Sequence, residues 1–201
     1  MRRNASKRAV QWIERHYSTR VMLVLLSASI GFFWLFNFSA LPLSNPELVK
    51  LSGQEGLLDL MPYYSAKEAF AALSHYGPAG RDLYMRFLAA DFVFIPIYSL
   101  GFAFLMTRTV RAVCKENTSW SWLYLLPFGI GLFDVIENLS ILTMLNLYPE
   151  ACVVIGTFSG IATLCKYLLT LLTLLSLGYG GVILLMQQFG LKPCATQRQR
   201  Q

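Results

Sequence analysis

The chain has 201 residues, the length of one ordinary domain, yet 55% of it is hydrophobic, only 14% is charged and its mean hydropathy is +0.49, proportions that exclude a water-soluble globule. The net charge of +6 does not make it a nucleic-acid binder, because the basic residues flank apolar segments instead of gathering on one amphipathic face. Cys114, Cys152, Cys165 and Cys194 show no C-x-x-C spacing and no adjacent His, so neither a disulfide framework nor a metal site is expected.

The first 20 residues carry Arg2, Arg3, Lys7, Arg8, Arg15 and Arg20 interleaved with Ala9, Val10, Trp12, Ile13 and Tyr17, which predicts a basic tail with a short interfacial helix. The apolar run that follows, 21–38, is too long for a cleaved signal. Phe38, in Asn37-Phe38-Ser39-Ala40, also stands where a small residue is needed, so an uncleaved signal anchor is expected. Segment 41–80 is too long for a turn. Within it Ser65-Ala66-Lys67-Glu68 fits a capping box, predicting a helix from 66 to about 76 that Gly77-Pro78 terminates. From Ala79 onward, Arg81, Tyr84, Leu88, Asp91, Ile95 and Tyr98 recur at helical spacing, so one partly polar helix face runs into the second span.

Pro96 and Pro127 fall inside the second and third apolar runs, 87–106 and 120–147, where kinks are tolerated if neighbours satisfy the freed carbonyls. Trp120 and Trp122 read as interfacial belt residues. The last apolar run, 152–189, is nearly twice the ~20 residues that one crossing needs. Its first part is therefore expected to protrude or to lie under segment 41–80. Gly156 and Gly160 form a GxxxG pair, read first as intrachain packing and second as a route to oligomerisation.

These elements predict an all-α integral membrane four-helix bundle with a partly helical outer segment. Its spans cover about 21–40, 87–107, 121–145 and 165–187, between tails 1–20 and 190–201. Six basic residues in the first tail, Arg108, Arg111 and Lys115 in one connection, and three in the last tail put both termini in the cytoplasm, in a bacterial inner membrane or a eukaryotic membrane. That topology leaves the acceptor patterns at Asn4, Asn117 and Asn138 unglycosylated. His16 and His75 fall on opposite sides, which argues against a haem between them.

An ionisable side chain within a span costs at least ~2.5 kcal/mol at mid-bilayer and needs a partner, a cavity or a purpose. Four are present: Asp91, Asp134, Glu137 and Lys166. Asp134, Glu137 and Asn138 share one face of the third helix, and Thr163, Lys166, Thr170 and Thr173 share one face of the fourth. Stepping about 1.5 Å per residue from the cytoplasmic ends puts Asp91, Asp134 and Glu137 at about 20 to 24 Å and Lys166 at about 31 Å. The four should meet in the outer third, with Arg81, Tyr84 and Arg86 above. Asp91, Asp134 and Glu137 are then candidate acid/base carboxylates, and Arg81, Tyr84, Tyr98, Asn138 and Lys166 candidate binding residues.

No phosphate loop, serine nucleophile or H-x-x-x-H pair accompanies them, and no cofactor is expected. The expected partners are the bilayer and a lipid or other amphiphile that the cluster binds or acts on. The alternatives are a proton or cation transport component, and a non-catalytic structural or assembly subunit whose ionic network only fixes helix register.

The runs Gly77-Pro78-Ala79-Gly80-Arg81-Asp82-Leu83-Tyr84, Asp91-Phe92-Val93-Phe94-Ile95-Pro96-Ile97-Tyr98 and Leu132-Phe133-Asp134-Val135-Ile136-Glu137-Asn138 resemble a group of small four-span membrane proteins of unassigned function. The resemblance spans about 63–145. It implies that Arg81, Tyr84, Asp91, Asp134, Glu137 and Asn138 work as a set, and it implies no particular activity.

Overall fold

A computed structural model describes residues 2–53, 55–114 and 118–189, without the side chains of 2–7, 118 and 119. The expectations on Lys115, Asn117, Cys194 and the 190–201 tail lie outside these residues. Among the described residues the chain is all-α, with no strand. The helices are α1 (Arg2–His16), α2 (Thr19–Phe38), α3 (Asn45–Ser52), α4 (Ala66–His75), α5 (Gly77–Cys114), α6 (Leu126–Leu147) and α7 (Val153–Gln188), with 3-10 turns at Leu58–Leu60 and Thr118–Leu125. Four helical stretches, Thr19–Phe38, Gly77–Cys114, Trp120–Leu147 and Val153–Gln188, are long and apolar enough to cross a membrane. The protein is a multi-pass membrane protein.

α2 packs on α5, α5 on α6 and α6 on α7, with a lighter α5–α7 contact. α2 has no comparable packing on α7, so the four helices form an arc that is open between its first and last members. These two helices bear Leu23, Val24, Trp34, Leu168, Leu171 and Leu175, all exposed, as a lipid-facing surface requires.

At one end of the arc, here the loop end, lie α3, α4 and the Leu58–Leu60 turn. Ser44 caps α3 by accepting from the Glu47 N–H, a proline follows in the first turn, and Gly53 closes the helix at φ 87°. Sequence patterning did not anticipate α3, although its capping signals are present. The capping box of α4 forms as expected: the Ser65 hydroxyl accepts from the Glu68 N–H while Glu68 accepts from the Ser65 N–H. Only Tyr76 separates α4 from α5, and Gly77 makes that bend possible with φ 62°.

α5 and α7 have 38 and 36 residues, or about 57 and 54 Å of helix against a ~30 Å hydrocarbon core. The excess of α7 lies against α4. A Cβ on Gly156 would stand 2.8 Å from the Ala66 Cβ, and one on Gly160 would collide with the Tyr64 carbonyl. Both glycines therefore serve close approach between α7 and the chain's own 63–70 segment.

Pro127 lies inside the third span and sits in the first turn of α6, behind the 3-10 stretch Thr118–Leu125. Its missing N–H costs nothing there. Pro96 does lie inside α5.

The apolar interior has two main parts. At the loop end Leu48, Tyr64, Leu73, Tyr76, Tyr84, Phe87, Ile141 and Met144 form one core. At the opposite, terminal end Ile13 of α1 joins Met22, Phe104, Met106, Val110 and Tyr124 in another. Ile95, Tyr98 and Ile130 pack between them.

Candidate functional site

The polar residues of α5, α6 and α7 meet at the loop-end side of the arc. Lys166 lies 3.0 Å from Asp134 Oδ1 and 2.5 Å from Glu137 Oε2, bridging two carboxylates one turn apart on α6. Tyr98 donates to the other Asp134 oxygen at 2.7 Å. Thr163 donates to Glu137 Oε1 at 2.5 Å, and Tyr64 approaches the same oxygen at 3.5 Å while bonding the Ser159 hydroxyl at 2.6 Å. Asn138 donates to Asp91 Oδ2 at 2.6 Å. Glu137 and Asn138 are fully enclosed. Such pairing is required, because a charge in this setting is tolerated only with a partner and satisfied lone pairs.

Asp59, from the Leu58–Leu60 turn, completes the group. Tyr84 donates to its Oδ1 at 3.0 Å, Tyr167 donates to its backbone carbonyl at 3.2 Å, and the Tyr84 hydroxyl accepts from the Leu58 N–H at 3.1 Å. Burial pushes the Asp59 carboxyl above the usual carboxylate range, and the Lys166 charge offsets part of that rise. Burial, with the Glu137 carboxylate, also pushes the Tyr64 phenol above its ordinary value.

A cavity of about 630 Å³ opens beside this cluster, inside the arc. Its polar end is formed by Asp59, Asp91, Tyr98, Asp134, Lys166 and Tyr167. The rest is mainly apolar, with Leu26, Ile30, Phe33 and Phe36 from α2, Phe87, Phe94, Phe102 and Leu105 from α5, Ile130 from α6 and Leu174 from α7, and the side chains of Ser29, Asn37, Thr170 and Thr173 among them donate to carbonyls of their own helices. From Asp91 to Leu105 the wall runs 14 residues along α5, or about 21 Å. Volume and lining match those of small-molecule sites, which are mostly apolar with a few convergent polar groups. The cavity's α2 and α7 walls are the two helices that do not close on each other.

Of the residues singled out by sequence, Asp91, Asp134, Tyr98 and Lys166 line the cavity. Glu137 and Asn138 stand behind them, and Tyr84 is buried beside Asp59. Arg81 is elsewhere: it donates to the Leu73 carbonyl at 3.0 Å and its guanidinium lies 4.0 Å over the Tyr148 ring. Arg86 pairs with Asp82 at the surface, 2.7 Å apart. Asp59, Tyr64, Ser159 and Tyr167 were not anticipated. Among the described residues no group of His, Cys, Asp and Glu is arranged to hold a metal ion.

Compared with protein families, curated proteins and solved structures, the chain matches none of them.

Proposed function

We propose that this membrane protein binds an amphiphile in the cavity of the arc, with the headgroup among Asp59, Asp91, Asp134 and Lys166 and the tail along α2 and α5. The observation that carries the reading is the joining of one polar end and one long apolar wall in a single cavity, on the side where α2 and α7 leave the bundle open. A lipid tail could enter laterally through that opening. A network serving only helix register has no need of such a space. A proton or cation path would need ionisable groups along the terminal half, and among the described residues no Asp, Glu, Lys or Arg is buried there. In this reading Glu137 positions Lys166 and the ligand meets the three aspartates.

We also assign the loop end to the outer face and both termini to the cytoplasm, on the distribution of basic residues. Cysteines placed at Ser52 and Ser119 test that sidedness: an impermeant maleimide should label the former and spare the latter in intact cells. For the binding reading, the full chain extracted in a mild detergent should retain a near-stoichiometric amphiphile detectable by mass spectrometry. Thr170→Trp, which fills the cavity from α7, should lose it. A folded wild-type protein that retains none, and takes up none from added lipid, overturns the reading.

A further inference from the structure

We infer that the headgroup taken by this cavity is a cation, an amine or ammonium with no phosphate or carboxylate of its own. The inference rests on the amphiphile reading and names the class of ligand. A tail that moves from the bilayer into the cavity exchanges one hydrocarbon environment for another, so tail burial discriminates little and the headgroup decides.

At the polar end four carboxyl groups, Asp59, Asp91, Asp134 and Glu137, surround one ammonium, that of Lys166. Lys166 is already shared by Asp134 and Glu137, at 3.0 and 2.5 Å. Asp59 and Asp91 have only neutral donors, Tyr84 at 3.0 Å and Asn138 at 2.6 Å, each on one carboxyl oxygen. Among the described residues neither has a basic side chain within ion-pair distance. Asp91 is only 6% exposed, and that exposure is to the cavity it lines. Its second oxygen and that of Asp59 are the acceptors left for a ligand.

An anionic headgroup would have to approach these two carboxyls and compete with two more for Lys166. Like charges at such distances repel far more strongly here than in water. A cationic headgroup meets the two remaining acceptors, with the rings of Phe94, Tyr98 and Tyr167 available on the same wall. Arg81, another cation of this end, is held by Leu73 and Tyr148 and does not line the cavity.

Three probes with one tail separate the possibilities: dodecylamine, dodecanol and dodecanoate, titrated at neutral pH into the full chain in zwitterionic-lipid nanodiscs. The shift in unfolding midpoint gives a half-saturating concentration for each. Dodecylamine should act at roughly a tenfold lower concentration than dodecanol, as a charge-assisted hydrogen bond predicts. Dodecanoate should act no better than dodecanol. Asp91→Asn and Asp59→Asn should each erase most of the amine's advantage, read as the ratio of the amine and alcohol half-saturating concentrations in the same variant. If Asp91→Asn does not fold, Asp59→Asn in the outer turn carries the same test. Equal values for amine and alcohol, or a preference for dodecanoate, overturn the cationic assignment and leave the amphiphile cavity standing. No shift with any probe overturns both.

Discussion

The two halves of this bundle are built on opposite rules. The terminal half is an apolar core closed by α1, where Ile13, Met106 and Phe104 are almost completely enclosed, with the partly exposed Arg111–Glu14 pair at its edge. The loop half encloses Asp91, Asp134, Glu137, Asn138 and Lys166 in a network where each residue bonds to one on another helix. The contrast separates holding the helices together from holding a ligand. The terminal half brings its helices into contact around an apolar core with no buried carboxylate among the described residues, so a polar network like that of the second half is not needed merely for helix contact.

The largest effect should come from breaking the network on one side. Lys166→Met strands Asp134 and Glu137 in a low-dielectric interior, a loss of ~3–5 kcal/mol, read as a collapse of the unfolding midpoint in detergent. Adding Glu137→Gln should recover part of it, because one stranded charge goes while the hydrogen bond from Thr163 persists. Strictly additive losses in that double-mutant cycle would mean that the Lys166 bridge carries no coupling. Next in size is Met106→Ala in the terminal half, expected to cost ~2–5 kcal/mol through the cavity it leaves. Its sharpening value is that dodecylamine binding should be unchanged, whereas a loss of binding would join the two halves into one cooperative unit. Smaller still is Gly160→Ala, which presses a methyl into the Tyr64 carbonyl and should cost ~1–3 kcal/mol by overpacking. Gly178→Ala on the same helix, with nothing within 4 Å, should leave the midpoint where it is.

What the sequence discloses follows the same division. An ionisable residue inside an apolar run is conspicuous, and i, i+3, i+4 spacing fixes a shared face, so Asp91, Asp134, Glu137 and Lys166 could be read as a cluster before any fold was known. Asp59 could not, because a carboxylate in a polar connection is ordinary. Its place depends on a 3-10 turn and on a bond from Tyr84 that spans 25 residues. Arg81 shows the converse limit. Periodicity fixes the direction of its Cα–Cβ bond, but a long side chain ends where it finds acceptors, here Leu73 and the Tyr148 ring. The cap of α4 was visible in Ser65 and Glu68, and the same grammar around Ser44, Glu47 and Gly53 was available for α3. The 3-10 stretch ahead of Pro127 was not legible, because hydropathy alone cannot tell it from the first turns of an α-helix.

The Lys166 bridge also constrains how the chain can be made. The third crossing, Trp120–Leu147, has the lowest mean hydropathy of the four, 1.6, and the fourth has the highest, 2.1. α6 leaves the ribosome with Asp134 and Glu137 and no basic residue of its own, and their partner is not synthesised until α7. Each carboxylate at mid-membrane costs on the order of 2.5–3.5 kcal/mol while it waits. α6 should therefore remain at the insertion machinery, or at the α5 surface where Tyr98 can reach Asp134, until α7 arrives. The two then enter the lipid as a hairpin, with the ion pair closing during biogenesis and not after it.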